Sequence, residues 1–558
     1  MARVGVIQRR DFVKGGAAFL CASSGVVVQD VFAFDTPEKQ QAEQIWLDSK
    51  LFDFAAYTKE RYQSDVEKYG LTETWHAICE HVLKHGEDAL LSIENFGELY
   101  EEGLALVDKT KKKKSGQYFT PPDVARVMSK WFDNVPGQNI CDVACGTGNL
   151  ILAYFDLIGK ARTKAILDAA LLHLYDLDRV AIDICLASIL IRYGEEYRSK
   201  IHVHCVDFLS NAAVLPPNSK VISNPPYANI ETIPLTWPET KVLQDTHELY
   251  AAFMEKIMRE SVGSVIITPY SFIGGRKFYS LRQEMNEFNG FIVSFDNVPG
   301  AIFNGRKHGI FNSNTGNSVR AAITVVDNRP AIKGFCLSPL IRFKAIERAR
   351  LLECETLENF IGSTRQIVTP TERMFAKCDK RLEHIFQTWK AKSEKKFGDF
   401  TIEKDGAFHL YMPNTCRYYT VASLKPMQRK GQIELHFADE DFFNYAYCMI
   451  NSSFAYWHWR LYDGGITYPS GLLLEMPVFF NLLTAKDKSF FRKIREEMCA
   501  VEKDYIIRKN NVGVQENVRY PREYRDKINT RMLSILGLKD DVHSFDVIHS
   551  NMALEVNL

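Results

Sequence analysis

The sequence predicts an α/β protein built around a largely parallel sheet with helices on both faces. Two observations carry this prediction. Seven short apolar runs, at 139–143, 171–175, 201–206, 220–223, 264–268, 291–295 and 321–326, alternate with stretches of helical periodicity. Glycine, acidic and Asn-Pro clusters follow these runs, where ligands sit in sheets of this kind.

Composition leaves the function open. The chain has 558 residues, 46% hydrophobic and 25% charged, with a formal net charge of +0. That length suits two to four units, and the charge balance excludes a global basic field, so any nucleic-acid contact must come from local patches. The 12 cysteines form no C-x-x-C pair. Cys141 and Cys145 lack a second Cys/His pair nearby, so free thiols are expected and no metal site.

Element by element, residues 36–107 read as helical, with Trp75, Ile78 and Val82 at helical spacing. Lys111 to Lys114 then interrupt as a polar hinge. The first strand runs into Asp142-Val143-Ala144-Cys145-Gly146-Thr147-Gly148, a turn whose glycines let backbone approach a ligand. The second ends in Tyr175-Asp176, where a carboxylate can accept ribose hydroxyls. The third ends in Val206-Asp207-Phe208, an acceptor for an adenine amino group beside a ring that could pack on it. Any one of these is weak, since helix caps explain most such acids. Three on consecutive strands read as a nucleoside-binding edge.

After the fourth strand comes Ser223-Asn224-Pro225-Pro226-Tyr227. Two prolines make a rigid loop. The Asn224 amide oxygen and the Pro225 carbonyl give two acceptors for the two hydrogens of an exocyclic amino group, directing its lone pair at an incoming methyl. Tyr227 offers a flat face to a base. A duplex base reaches such a pocket only when flipped out. Upstream, Thr120 reads as a helix N-cap with Pro121 at the first helical position and Asp123 completing a capping box, followed by a buried stripe of Val124, Met128 and Trp131. Beyond 330 the alternation gives way to mixed, aromatic-rich and basic text.

These residues resemble the Rossmann-like S-adenosylmethionine-dependent methyltransferases, and D-x-A-C-G-T-G with N-P-P-Y resembles their amino-methylating branch. Ser115-Gly116-Gln117-Tyr118-Phe119-Thr120-Pro121 resembles that family's G-x-[YF]-[YF]-T-P motif. Its position before the glycine turn is the gamma order of N6-adenine DNA methyltransferases. Glu248 to Phe253 and Gly263 to Ile273 resemble that group's next helix and strand. Residues 449–478 resemble the recognition domain of Eco57I-type restriction–modification proteins.

The resemblance implies S-adenosylmethionine as cofactor. Tyr118, Thr120 and Pro121 would meet its carboxylate, and Asp142, Ala144, Gly146 and Gly148 its methionine end. Asp176 would hold the ribose, and Asp207 and Phe208 the adenine. It implies Asn224, Pro225, Pro226 and Tyr227 as catalytic residues, with Tyr227 and Phe303 stacking on the flipped base. Arg417, Lys425, Arg429 and Arg460 are the candidate DNA contacts, whereas His458 is expected in the core. The implied organisation is a signal-like or misassigned segment (1–35), a helical region (36–110), a methyltransferase domain (111–330), a mixed α+β target-recognition domain (331–540) and a tail (541–558).

The expected function is site-specific methylation of adenine N6 in double-stranded DNA, in restriction–modification or phage defence. A separate restriction endonuclease or defence-complex subunit would be the protein partner, with no membrane. Two alternatives stay open. One is a protein-glutamine or RNA amino-methyltransferase, since N-P-P-Y alone permits both. The other is a non-catalytic DNA-binding subunit. Arg9-Arg10-Asp11-Phe12-Val13-Lys14, followed by an apolar run to Val28, looks like a twin-arginine export signal. An enzyme needing DNA and this cofactor would find neither outside the cell, so a cytoplasmic address and a start near Thr36 are expected instead.

Overall fold

The computed structural model describes residues 120–554, apart from 232, 304–318, 330–331, 405, 510–514 and 540–541. Tyr118, the lysine run, the helical reading of 36–107 and the twin-arginine segment therefore lie outside the described residues. The described residues divide into two compact units. One holds those up to Thr268 together with Phe303 and Val319; the other holds Pro269–Ile302 and those from Arg320 onward.

The first unit starts with helix α1 (Pro122–Asn134) and continues through β1 (Asn139–Asp142), α2 (Asn149–Asp168), β2 (Leu172–Asp176), α3 (Arg179–Tyr193), β3 (His202–Cys205), β4 (Ser219–Ser223), α4 (Lys241–Thr246), α5 (Leu249–Glu260) and β5 (Gly263–Pro269). The strands lie in the order β3-β2-β1-β4-β5, every neighbouring pair parallel, with Cys141 opposite both His173 and Val221. All five carboxyl ends thus share one edge. Strand order reverses between β1 and β4, which opens a crevice at that point in a doubly wound sheet. Every residue of β4 is buried, as a central parallel strand requires. Helices α1 and α2 pack against β4, and α3 against β2 and β3. The stripe of Val124, Met128 and Trp131 is buried as expected.

The second unit contains α6 (Tyr279–Met285) and three strands in the order β7-β6-β8. Strand β6 (Asn289–Phe295) pairs antiparallel with β7 (Ala321–Asp327) and parallel with β8 (Gly334–Ile341). All seven expected strands are present, with ends shifted by one or two residues, and β8 is an eighth. Ser338 and Pro339 interrupt its apolar run at a register shift, where they stand opposite Val293 alone. A proline survives within a sheet at such a bulge because no ladder donor is missing there.

Farther on, helices α7 (Glu383–Lys392), α8 (Glu440–Ile450), α9 (Ser453–Tyr462), α10 (Ala485–Val501) and α11 (Arg522–Ile535) surround an aromatic core that includes Trp389, Trp457, Trp459, Tyr445 and Phe454. Two antiparallel hairpins complete it: β9 (Phe408–Pro413) with β10 (Gln432–Phe437), and β11 (Ile506–Lys509) with β12 (Gln515–Val518). His458 is buried here, with Nδ1 2.7 Å from the Tyr468 hydroxyl and its pKa lowered to about 3 by burial, which makes it a core histidine. No helix among the described residues is long and apolar enough to cross a membrane.

Candidate active site

Asp142 closes β1 and Asn224 follows β4, so the two flank the crevice where strand order reverses. Asp142 is 1% exposed. Its Oδ1 accepts weakly from the Ala144 N–H (3.3 Å), while Oδ2 is buried without a hydrogen-bond partner among the described residues. Burial pushes this carboxyl well above the ordinary range, and the Asp176 charge adds to the shift. A buried acceptor left open costs stability unless a ligand supplies its donor.

The glycine turn sits between these carboxylates. Gly146 and Gly148 have φ of 51° and 95°, and a Cβ on Gly148 would stand 2.6 Å from Cys185 Sγ. Only glycine fits the second position. The Gly146 N–H donates to Asp176 Oδ2 (2.7 Å) and the Asp178 N–H to Oδ1 (2.8 Å), so the end of β2 holds the turn. Burial raises the Asp176 pKa to about 6 despite these bonds.

Asp207 is already engaged. Its Oδ1 accepts from the Leu209 N–H (3.0 Å) and its Oδ2 from the Trp237 indole (2.6 Å). Phe208 is 2% exposed and packs inside the unit, 5.3 Å from Phe253 and 6.0 Å from Tyr175 between ring centres. The structure thus keeps Asp207 at the edge but draws Phe208 into the core. Trp237 escaped the sequence reading, because nothing in its neighbourhood links it to β3.

The start of α1 differs from expectation. The helix begins at Pro122, and neither a side-chain cap nor a capping box forms. Pro121 has an extended ψ of 146°, since a residue before proline is driven from the helical region. Asp123 Oδ1 accepts from the N–H of its neighbour Val124. The 3%-exposed Thr120 instead accepts from Asn224 Nδ2 at 3.0 Å. That bond holds the amide plane and turns its oxygen to the opposite side.

The Tyr227 hydroxyl donates to the Ile267 carbonyl (3.1 Å), and its ring lies edge-on to Tyr250 and Phe303, at 6.3 and 6.1 Å between centres. Phe303, named from sequence as the second stacking residue, is 4% exposed and touches Tyr227 edge-on. Pro225 is buried, and Pro226 is half-buried.

In the second unit, the basic residues named from sequence part company. Arg460 is 7% exposed; it pairs with Asp296 Oδ2 (2.7 Å) and donates to the Leu340 carbonyl. Buried in this way, its guanidinium cannot meet a phosphate, which corrects its assignment as a DNA contact. Arg320 and Arg342 also bond Asp296. Burial alone would raise the Asp296 carboxyl, but the three guanidiniums, Arg460 foremost, outweigh it and hold it below the ordinary range. Arg417 and Lys425 are exposed. Arg417 and the half-buried Arg429 line a cleft of about 1010 Å³, together with Arg519, Arg522, Arg525 and Tyr520.

Residues 91–260 match the family described as N-6 DNA Methylase. The methylase subunit of the type I restriction enzyme EcoEI from Escherichia coli is 22% identical over 218 residues, covering 38% of this chain and 43% of that protein. The modification methylase CviBIII of Paramecium bursaria Chlorella virus NC1A is 24% identical over 250 residues, covering 43% and 57%. The chain thus spans about half the length of these two relatives. Among solved structures, a DrdV–DNA complex aligns with a TM-score of 0.42 at 15% identity, over 66% of this chain and 43% of that one.

Proposed function

With residues 91–260 carrying an N-6 DNA Methylase domain, we propose that this protein methylates the N6 amino group of adenine in DNA, using S-adenosylmethionine. The observation that carries this reading is the pairing of a cofactor-ready edge with the Asn224 loop across one crevice. Bound there, the cofactor supplies a methyl group already activated on a sulfonium. The open buried Oδ2 of Asp142 and the cradle at Gly148 fit a ligand carrying an ammonium or hydroxyl donor. Asp142, Ala144, Gly146 and Gly148 would hold its methionine end, with Thr120 and Pro121 at the helix start. Asp176 would accept from the ribose, and Asp207, steadied by Trp237, from the adenine amino group.

On the other side of the crevice, Asn224 and the Pro225 carbonyl accept the two hydrogens of the target amino group and aim its lone pair. Thr120 fixes the amide that does so, so the start of α1 serves both ligands. Tyr227 would offer its ring face to a base removed from its stack, with Phe303 packed edge-on behind it. Arg417, Arg429 and Lys425 would contact the DNA backbone, and the tyrosines of the arginine-lined cleft suit that role. A restriction or defence subunit is the proposed protein partner, in the cytoplasm where duplex DNA and cofactor meet.

The test is incubation of the full chain with labelled cofactor and duplex DNA, RNA or protein, followed by nucleoside analysis. N6-methyladenine from DNA is expected. Asn224→Ala should abolish it while cofactor binding stays within a few-fold of wild type. Label found only in RNA or in glutamine side chains would overturn the reading.

A further inference from the structure

The hairpin of β9 and β10 sorts its side chains by face, as pleating demands. Leu410, Met412, Leu435 and Phe437 are buried on one side. His409, Tyr411, Glu434 and His436 share the other. His409 stands directly opposite His436, the rings 4.7 Å apart and nearly perpendicular, and Tyr411 stands opposite Glu434. One donor atom from each of His409, Glu434 and His436 lies within 4.8 Å of the others. The Nδ1 atoms of both histidines are buried without a hydrogen-bond partner among the described residues. The Tyr411 hydroxyl donates to Glu434 Oε1 at 3.0 Å.

A solvated polar face would leave ring nitrogens wet, and a packed one would pair them. This hairpin instead leaves both Nδ1 atoms buried and open, while His436 Nε2 stands 3.8 Å from Glu434 Oε1, and a buried open ring nitrogen is costly. Two imidazoles and a carboxylate form a donor set suited to zinc, which binds nitrogen and oxygen at about 2.0–2.2 Å. We propose that His409, Glu434 and His436 bind a divalent transition-metal ion of the zinc class, with Tyr411 orienting the carboxylate. Three protein donors leave a fourth position for water. The ion would clip the two strands together. The proposal is independent of the methyltransferase reading.

The test is calorimetric titration of the metal-free full chain with zinc chloride, with cobalt(II) as a spectroscopic substitute. One high-affinity ion per chain and a visible cobalt band are expected. His436→Ala and Glu434→Gln should each weaken binding at least tenfold, and Tyr411→Phe by about 10–100-fold. Unfolding of each variant in chelator should match that of the wild type, since only the metal contribution is lost. His202→Ala is the control, because His202 stacks on His173 in a separate histidine group, with ring centres 4.3 Å apart. No zinc uptake, unchanged affinity in His436→Ala, or binding lost in His202→Ala would each overturn the proposal.

Discussion

The two units bury carboxylates in opposite ways. In the first, Asp142 and Asp176 sit at strand ends beside each other with backbone N–H donors but no cation among the described residues, and burial raises both. In the second, Asp296 is buried among three arginines that hold it ionised. The physical cost of burial is similar, but it is met differently. Asp296 is met internally, by guanidiniums from three separate stretches of chain, and so ties those stretches together. Asp142 keeps an acceptor open, which is what a ligand with a donor requires. A compensated charge fixes structure, whereas an uncompensated acceptor prepares a site.

The sharpest way to break this contrast is Asp296→Ala. Removing the carboxylate strands the buried Arg342 and Arg460 and the half-buried Arg320, and a loss of about 3–5 kcal/mol in denaturant unfolding is expected. A loss typical of a surface substitution would mean that the cluster organises nothing.

Lys377 extends the comparison to a buried cation. It is 2% exposed, its Nζ has no hydrogen-bond partner among the described residues, and burial lowers its pKa from 10.5 to about 7. Between those values the unfolded chain binds more protons than the folded one, so wild-type stability should rise with pH. Lys377→Met should stabilise by about 1–4 kcal/mol at neutral pH. The gain should shrink toward pH 10, as thermal melts across that range would show. A gain that does not vary with pH would assign the effect to packing.

Asp176 sharpens the ligand side. Its folded pKa of about 6 lies above the ordinary 3.8, so its own contribution to stability in the free protein is full on the acid side and falls as pH rises between those values. Cofactor affinity should run the other way and drop as the carboxylate gains its proton below about pH 6. Asp176→Asn should cost about 1.5–3 kcal/mol of affinity at pH 8 and flatten that profile. Titration calorimetry showing an undiminished pH dependence would move the ribose contact elsewhere.

Local chemistry was the legible part of this molecule. The strand positions, the glycine turn and the Asn224 loop follow from short-range patterns, and parallel pairing then brings their ends to one edge. The capping error at Thr120 was itself legible, because Pro121 precedes Pro122 and cannot be helical. Long-range partnerships were not. Nothing near Arg460 announces Asp296, 164 residues away, so a buried structural cation reads as a surface one. Pro339 hid β8 because only pairing with β6 reveals the bulge that accommodates it. The histidine–glutamate face escaped a search guided by cysteine spacing, since its members meet across a hairpin rather than along the chain.

The indole of Trp237 touches the carboxylate proposed to recognise the cofactor's adenine. That makes the ring a witness to events at the site. An amino group arriving at Asp207 must share the carboxylate with the indole N–H, and the polarity around the excited ring changes as it does so. The emission of this side chain should therefore track occupancy of the adenine end alone, without a label and without turnover. On that proposal, ligands lacking the amino group should leave this emission unchanged, and adenosine should be told from its deaminated counterpart by the Trp237 signal.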